Sequence, residues 1–514
     1  MSRVHRIARR GVLAACAVTL VTLTAVIPPL AGAQATLAHE PVLLPVASDP
    51  TVSFKIAFTV GSQNDPPGKE GLANLTAALM SEGATRKHAF PEVLRLLYPI
   101  AAGYGARVDK ELTTFSGRVH KDNLEAYVPL LLDAIREPAF NENDFARIRQ
   151  RTKDFLEKTL RYSSDEELGK AALYGAAFAG TPYAHLNAGT AAGLEAITLE
   201  DVRQFHARNF TRDAVVLCVG GGYDAALVAR MQRELAQLPA GKPATVTLPA
   251  IQAPEGRPVV IVKKPGPATA ISFGFPIDAR RGERDFYALW VANSWLGEHR
   301  NSSSHLYQVI REKRGMNYGD YSYIECFPEG GNRNVPPANV PRRRQLFEVW
   351  IRPVPNDQAP FALRAAMREV ETLAKNGLTK DQFELTRSFI TKYSRNYAVS
   401  TDERLGYALD DRVYGLKSPG HLANFRGIVP TLGLAEVNAA IKKHLRPDRM
   451  WIAMVSEQAD SLAGLLASGT ASPMKYSTPK PDDVLAEDKT IEAYPLALRR
   501  EKIQVVPVDA MFAR

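Results

Sequence analysis

The sequence is poor in cysteine, with three cysteines in 514 residues. Cys16 lies in an N-terminal apolar segment that we expect to be removed, which leaves Cys218 and Cys326. Two cysteines are too few for a disulfide framework, so hydrophobic cores must hold the fold together. Cys218 lies in the apolar segment 215–219, where we expect a buried free thiol.

The sequence also lacks a large excess of charge of one sign. The formal net charge is +9, and it falls to +5 without the four arginines of the first ten residues. The one dense basic run, Arg342–Arg344, lies in a Pro- and Asn-rich segment without interleaved aromatic residues, which is typical of a solvated loop. We therefore expect no nucleic-acid partner.

The first 35 residues have the pattern of a secretory signal peptide. A basic start precedes the apolar stretch 11–30 and the small-residue pattern Ala33-Gln34-Ala35. The alternative is an uncleaved anchor, because 11–30 is about long enough to span a bilayer. Two prolines and the cleavage-like site favour removal after Ala35. We therefore expect a periplasmic or otherwise exported protein without stable membrane insertion.

The remaining chain has an ordinary globular composition, and its elements are predicted to repeat. Leu199–Val202, followed by a strand at 215, is mirrored by Leu434–Val437, followed by a strand at 450. The periodicity stops between them, at 239–258, where Pro, Gly, Ala and Thr dominate. A duplicated unit of this kind predicts an α+β fold of two homologous halves. In each half helices would pack on antiparallel sheets, and the halves would face each other around a chamber.

These observations divide the chain into five segments. They are a signal peptide (1–35), an N-terminal half (36–238), a linker permitting hinge-like opening (239–258), a C-terminal half (259–471) and a C-terminal extension (472–514) with a possible edge strand at 505–508.

No complete catalytic motif is present. There is no G-x-S-x-G, and the S-x-x-K at Ser477–Lys480 lies among prolines rather than in a helix. No two histidines have H-x-x-x-H spacing beside a carboxylate. Glu298 and His299 with His305 come nearest, but a helix–loop junction explains them. An independent enzyme with a site of one of these kinds is therefore the least favoured function.

One segment nevertheless has the outline of a zinc site. Gly61–Asp65 follows a predicted strand, Gly71–Ala73 opens a predicted helix, and Gly83–Thr85 ends it. This frame resembles the zinc-site segment of the pitrilysin/insulinase-like (inverzincin) metallopeptidases. In active family members the helix carries H-x-x-E-H after the Gly-Leu-Ala-like triplet, so that two imidazoles on one helix face bind zinc and the Glu activates water.

The residues at those positions do not match the family motif. The resemblance places the two histidines and the glutamate at Asn74, Ala78 and Ala77, and the family's third ligand near Asp154 or Glu157, with the flanking pattern favouring Asp154. A neutral amide is a poor zinc ligand and a methyl group is none. One carboxylate does not hold zinc alone, so we expect no metal and no other cofactor in this chain.

A second segment also resembles the family, and here the residues of the family pattern are present. Arg311 and Tyr318 keep the seven-residue spacing of a family pair that contacts substrate near the zinc of the other half. In active relatives the Tyr hydroxyl and the guanidinium are placed to stabilise the developing oxyanion. The alternative is a helix-end cation and a strand aromatic residue. The surrounding match favours a substrate-binding role.

The resemblance implies a catalytically inactive subunit of an exported heterodimeric zinc metallopeptidase. An exported homologous subunit with intact H-x-x-E-H would supply zinc, and this chain would supply Arg311 and Tyr318 to a peptide substrate. The alternative is a peptide-binding or scaffold protein with no proteolytic role.

Overall fold

The computed structural model describes residues 36–250, 252–327 and 333–514. The predicted signal peptide lies outside the described residues. Residues 36–514 form one compact unit. The elements of the first half are β1 (Val42–Pro45), β2 (Thr51–Phe58), α1 (Leu72–Glu82), α2 (Phe90–Leu97), β3 (Gly103–Val108), β4 (Thr113–His120), α3 (Leu124–Arg136), α4 (Glu142–Asp154), α5 (Asp165–Ala177), α6 (Ala191–Ala196), α7 (Leu199–Asn209), β5 (Val215–Gly221) and α8 (Ala225–Leu235).

In the described residues, the second half repeats this order without an α-helix equivalent to α2, and it adds a helix and a strand at its end. Its elements are β6 (Val259–Lys263), β7 (Ala268–Ile277), α9 (Arg284–Gly297), β8 (Asp320–Tyr323), β9 (Gln345–Pro355), α10 (Ala359–Asn376), α11 (Lys380–Tyr393), α12 (Thr401–Tyr414), α13 (Gly420–Ile428), α14 (Leu434–His444), β10 (Trp451–Ser456), α15 (Ala459–Ser468), α16 (Asp482–Glu492) and β11 (Ile503–Pro507).

The two sheets have the same strand order. The first runs β1-β5-β2-β4-β3, and the second runs β6-β10-β7-β9-β8, with β11 added beyond β6. The central strands pair antiparallel, whereas β1 pairs parallel with β5, and β6 with β10 and β11. The predicted α+β fold of two homologous halves is confirmed. Its sheets are antiparallel at the centre and parallel at one side.

Alternation along the strands separates two faces of each sheet. In β2, Phe54 and Ile56 are buried in the hydrophobic core beneath the helices of the first half, whereas Ser53 and Lys55 point to the opposite face. A second core of the same kind lies in the other half, where Phe273 of β7 is buried. The opposite face of each sheet is covered by a helix that comes from the other half.

Each half donates one helix to the sheet of the other half. Helix α5 packs on β7, β9 and β10, and α12 packs on β1, β2 and β5. Both helices begin with a related sequence, Ser-Ser-Asp-Glu-Glu-Leu-Gly at 163–169 and Ser-Thr-Asp-Glu-Arg-Leu-Gly at 400–406. The Asp of each helix pairs with a lysine of the other half, Asp165 with Lys264 and Asp402 with Lys55.

This exchange bears on the hinge-like opening expected at the linker 239–258, because it adds an energetic cost to any separation of the halves. To open, the halves would have to strip both helices from their sheets and expose buried side chains of α5 and α12, such as Leu168 and Leu405. The linker joins two halves that are already interlocked.

The C-terminal segment is built into the fold. β11 pairs with β6 at the edge of the second sheet, close to the strand predicted at 505–508. Helix α16 packs on α10, and the Met511 carbonyl accepts hydrogen bonds from Arg161 of the first half. Within the described part of the chain, no helix has the length and apolar character needed to cross a membrane.

Candidate functional site

The first turn of α1 is held by a buried carboxylate. Asp65 accepts hydrogen bonds from the backbone N–H groups of Gly71 and Ala73, both at 2.7 Å. Gly71 has a φ of 106°, which favours glycine because side chains are strained there. His185 Nε2 lies 3.1 Å from Asp65, and burial raises the pKa of Asp65 against the lowering effect of this histidine. The helix start is therefore rigid although its metal ligands are missing.

The degenerate zinc positions lie on this helix. Asn74 and Ala78 are half-buried, and Ala77 is buried in the core of the first half, at 1% exposure. The side chains offer one amide and two methyl groups. These residues do not fit zinc, which prefers imidazole, thiolate and carboxylate ligands.

Asp154, at the position of the family's third zinc ligand, is bound to other side chains. Asp154 ends α4, and its carboxylate accepts from Gln150 at 3.0 Å and pairs with Lys158 at 2.7 Å. The bond from Lys158 lowers the pKa of Asp154. Among the described residues, no group of three or more His, Cys, Asp or Glu side chains is arranged to hold a metal ion.

Asn74 opens onto a cavity of about 420 Å³ between the two halves. The first half contributes the end of β3 with the turn to β4, helix α5 and the segment 185–188. The second half contributes Arg342 and β9. The charged and aromatic lining residues are Arg107, Asp109, Lys110, Phe155, Glu167, Lys170, Tyr174, His185, Phe327, Arg342, Glu348 and Trp350.

Two arginines of the second half clamp the turn between β3 and β4. Arg342 donates two hydrogen bonds to Asp109, at 2.8 and 2.6 Å, and a third to the Tyr174 hydroxyl at 2.6 Å. Arg343 pairs with Glu111 at 2.9 Å. The expectation of a solvated basic loop at 342–344 is therefore wrong for Arg342, whose charge is buried against a carboxylate distant in sequence.

The Arg311/Tyr318 pair lies apart from this cavity. Arg311 belongs to a π-helical turn (Tyr307–Glu312), and its guanidinium carbon lies 5.3 Å from the centre of the Tyr318 ring. Tyr318 is 78% exposed. Asn317 holds the loop by donating to Asp320 at 2.7 Å and to the Arg352 carbonyl at 2.9 Å. Neither Arg311 nor Tyr318 is among the residues that line the cavity.

The histidines considered as an alternative site do not converge. His299 Nδ1 lies 2.5 Å from the Tyr323 hydroxyl. His305 Nε2 lies 2.6 Å from Glu369, and its ring stacks on Trp295. Each histidine therefore has its own local partners.

Sequence reasoning missed the cavity residues because they are far apart in the chain. Lys110, Arg342 and Glu348 follow no common motif. One signal was available: the repeated Ser-(Ser/Thr)-Asp-Glu-x-Leu-Gly sequence marks α5 and α12 as equivalent helices. It would have identified α5, which forms one wall of the cavity.

Comparison with known proteins agrees with this arrangement. Residues 42–190 match the family model described as Insulinase (Peptidase family M16), and residues 196–389 match the model described as Peptidase M16 inactive domain. An uncharacterized zinc protease of Streptomyces coelicolor is 26% identical over 65% of this chain and 69% of its own length. A Helicobacter pylori protein named as a non-peptidase homolog is 24% identical over 78% of this chain and 88% of its own length.

A solved structure extends the comparison to the fold. The crystal structure of a peptidase M16 inactive domain from Pseudomonas fluorescens superposes with a TM-score of 0.70 at 21% identity, and the match covers 80% of this chain and 94% of that one. The two-half fold, together with a helix α1 that lacks the family's zinc-ligating side chains, defines an inactive peptidase-like protein. The chain belongs to the insulinase family, peptidase family M16.

Proposed function

We propose that this chain is the non-catalytic subunit of an exported heterodimeric zinc metallopeptidase. It would contribute Arg311 and Tyr318 to peptide hydrolysis at the zinc of a homologous subunit with intact H-x-x-E-H. The observation that carries the proposal is the contact of the exposed Tyr318 ring with the half-buried Arg311 guanidinium, in a chain whose own α1 has no zinc ligands.

The chemistry of this pair suits a developing oxyanion. The Tyr318 ring is exposed, which leaves its hydroxyl free to donate a hydrogen bond. Arg311 is half-buried, and its Nε is a buried atom that has no hydrogen-bond partner among the described residues. A guanidinium presents several N–H donors in a planar fork. Donors held ready for a developing negative charge supply a large share of rate acceleration in peptide hydrolysis.

The sheet edges offer a way to hold an extended peptide. In the described residues, β3 pairs only with β4, and β8 pairs only with β9. An unpaired strand edge binds extended peptides through backbone hydrogen bonds. Since β8 begins two residues after Tyr318, a peptide on that edge would pass close to the pair.

The test is turnover by a reconstituted pair. The chain is co-expressed with an exported relative that carries H-x-x-E-H, and Tyr318→Phe is compared with Tyr98→Phe, an exposed tyrosine distant in sequence from the pair. We expect Tyr318→Phe to lower kcat by about 10²–10³-fold with the complex intact by size-exclusion chromatography, and Tyr98→Phe to leave kcat unchanged. Arg311→Lys should also lower kcat, because an ammonium does not reproduce the planar fork.

The alternative function predicts a different result. For a peptide-binding or scaffold protein, both variants keep wild-type turnover, or no complex with the relative forms. Either result would overturn the subunit assignment.

A further inference from the structure

A small pocket on the first half is lined by cationic side chains. It has a volume of about 280 Å³ and lies where the segment after α1, the end of α3 and helix α7 meet. Three arginines and a histidine line it together with the segment 138–140: Arg86, Arg136, Arg203 and His206. Among the described residues, no aspartate or glutamate lines this pocket, and none of its lining residues belongs to the cavity between the halves.

Backbone hydrogen bonds hold Arg86 beside the end of α3. The Arg86 N–H donates to the Glu137 carbonyl at 2.9 Å, and the Ala139 N–H donates to the Ala84 carbonyl at 2.9 Å. Residues that face each other across such an antiparallel bridge have Cα atoms about 5 Å apart. Since Arg86 faces Glu137, it lies one residue away from Arg136 along the opposite strand.

Helix α7 brings the third arginine to the same turn. Arg203 donates from Nη2 to the Phe140 carbonyl at 3.0 Å, and the His206 ring centre lies 5.2 Å from that of Phe140. Phe140 has a φ of 46°, a left-handed conformation that is strained for an aromatic residue. It is 7% exposed, so packing holds it there. The segment 138–140 is therefore fixed between the end of α3 and α7.

The three arginines are incompletely paired. In the described part of the chain, no carboxylate lies within 4 Å of the Arg86 guanidinium. The Arg203 guanidinium lies 3.9 Å from Glu200, and these side chains are 50% and 63% exposed, so the pair contributes little. Arg136 has a close partner in Glu234, which does not line the pocket. The pocket therefore has an excess of positive charge.

His206 adds no charge to this excess. Its Nε2 lies 3.3 Å from the Ile135 carbonyl, and its ring stacks on Phe210 with centres 5.5 Å apart. Burial lowers the pKa of His206 to about 4. The imidazole is therefore neutral at pH 7 and donates through Nε2 to the carbonyl. The charge of the pocket comes from the guanidinium groups alone.

The size of the pocket limits the ligand. A compact space of 280 Å³ is about 8 Å across, and a phosphate with a hydrogen bond of about 2.8 Å on either side spans a similar length. The volume lies just below the roughly 300–1,000 Å³ of sites for larger organic molecules. Several guanidinium groups match a phosphate because their N–H donors meet several oxygens of one anion.

We infer that this pocket binds a phosphate group. Arg86 would supply a guanidinium that has no ion-pair partner among the described residues, and Arg203 and Arg136 would add the N–H donors that face the pocket. The inference goes beyond the proposed function, because it requires neither a zinc-bearing subunit nor Arg311 and Tyr318. Failure of phosphate binding would leave the turnover experiment untouched.

The experiment is titration calorimetry of the single mature chain with inorganic phosphate at constant ionic strength. We expect one phosphate per chain with a Kd on the order of 1 mM or tighter. Arg86→Met and Arg203→Met should each raise the Kd at least about tenfold, which corresponds to about 1.4 kcal/mol. Arg86→Lys should raise it less than Arg86→Met, because it keeps the charge and loses only the planar fork.

A matched control separates the pocket from general surface charge. Arg118 is an exposed arginine of β4 that does not line the pocket, and Arg118→Met should bind phosphate as the wild type does. Arg86→Met removes no ion pair of the described residues, so its urea midpoint should equal that of the wild type. Loss of binding in this variant would therefore not result from unfolding.

Two further ligands identify the source of the phosphate group. Binding of glycerol 3-phosphate that depends on Arg86, without binding to vesicles, would assign a soluble phosphate ester. Sedimentation with vesicles of phosphatidylcholine containing phosphatidic acid, abolished in Arg86→Met and absent with phosphatidylcholine alone, would assign a lipid headgroup. Both outcomes support the site.

Three results would overturn the inference. The first is absence of phosphate binding at concentrations on the order of 10 mM. The second is a Kd that is unchanged in both Arg86→Met and Arg203→Met. The third is acetate binding as tight as phosphate binding, because the pocket would then recognise negative charge without selecting a phosphate group.

Discussion

Arg342 and Asp109, separated by 233 positions, meet through two hydrogen bonds of 2.8 and 2.6 Å. Their side chains are 6% and 2% exposed, so the pair is removed from water. The Arg342 guanidinium keeps the pKa of the Asp109 carboxyl below its usual range although burial opposes this. The pair therefore joins the two halves at the wall of the cavity.

Breaking this pair should destabilise the whole chain. Arg342→Met leaves Asp109 buried and unpaired, which costs about 3–5 kcal/mol in the free energy of unfolding. The double variant Arg342→Met/Asp109→Asn should recover part of this loss. Arg344→Met is the matched control from the same basic run: its partner Asp278 is 71% exposed, so the expected cost is below about 1 kcal/mol. Urea unfolding measures the free energy of unfolding of all three variants. Equal losses of stability in Arg342→Met and Arg344→Met would contradict a stabilising role of the Arg342–Asp109 pair.

The exchanged helices should make the halves unfold together. All four tryptophans lie in the second half, and Cys218 is buried in β5 of the first half. In a Cys326→Ser background, tryptophan fluorescence and labelling of Cys218 should give the same urea midpoint. Two separate midpoints would indicate halves that move independently about the linker.

The repeated glycine at the start of each exchanged helix provides a matched pair of variants. A Cβ at Gly406 would lie 2.9 Å from Ala338 Cβ and 3.3 Å from Asn339 Oδ1, whereas a Cβ at Gly169 would meet only ordinary contacts at 3.5 and 3.6 Å. Gly406→Ala should lower the free energy of unfolding by about 1–3 kcal/mol. Gly169→Ala should be neutral or stabilising by up to about 1 kcal/mol, because alanine favours helix. The urea denaturation midpoints of the two variants test this prediction. A lower midpoint for Gly169→Ala than for Gly406→Ala would refute the packing argument.

A buried glutamate should make stability depend on pH. Burial raises the pKa of Glu298 to about 7 from 4.5. Between these values the unfolded chain has lost the proton that the folded chain keeps, so stability falls as pH rises from 4.5 to about 7. Across this pH range, Glu298 should lower the free energy of unfolding by about 3 kcal/mol. Glu298→Gln should flatten this window and Glu125→Gln should not, as measured by urea unfolding at several pH values. An unchanged slope in Glu298→Gln would exclude this origin.

The purified mature chain should hold no stoichiometric zinc after dialysis, as measured by elemental analysis. Combining Asn74→His, Ala77→Glu and Ala78→His should give weak binding at best, because Ala77 is buried in the core and Asp154 is engaged by Lys158. Adding Asp154→Glu to these three substitutions should strengthen zinc binding. One tightly held zinc per wild-type chain would contradict the assignment of α1 as degenerate.

Much of the secondary structure could be predicted from the sequence. The helix predicted between Gly71–Ala73 and Gly83–Thr85 is α1 (Leu72–Glu82). Its pattern is clear because most of its residues are buried. The periodicity does not predict helices α2, α6, α12, α13, α15 and α16.

The sequence by itself determined the family frame, the duplicated order of elements and the loss of the zinc ligands, because each depends on residues close together in the chain. Only the tertiary structure decided which helix covers which sheet, and that Lys110, Arg342 and Glu348 surround one cavity. The physical reason is that the charge of Arg342 is stabilised by Asp109, 233 positions away, and that no local pattern records whether a charged residue will be paired, solvated or buried without a partner.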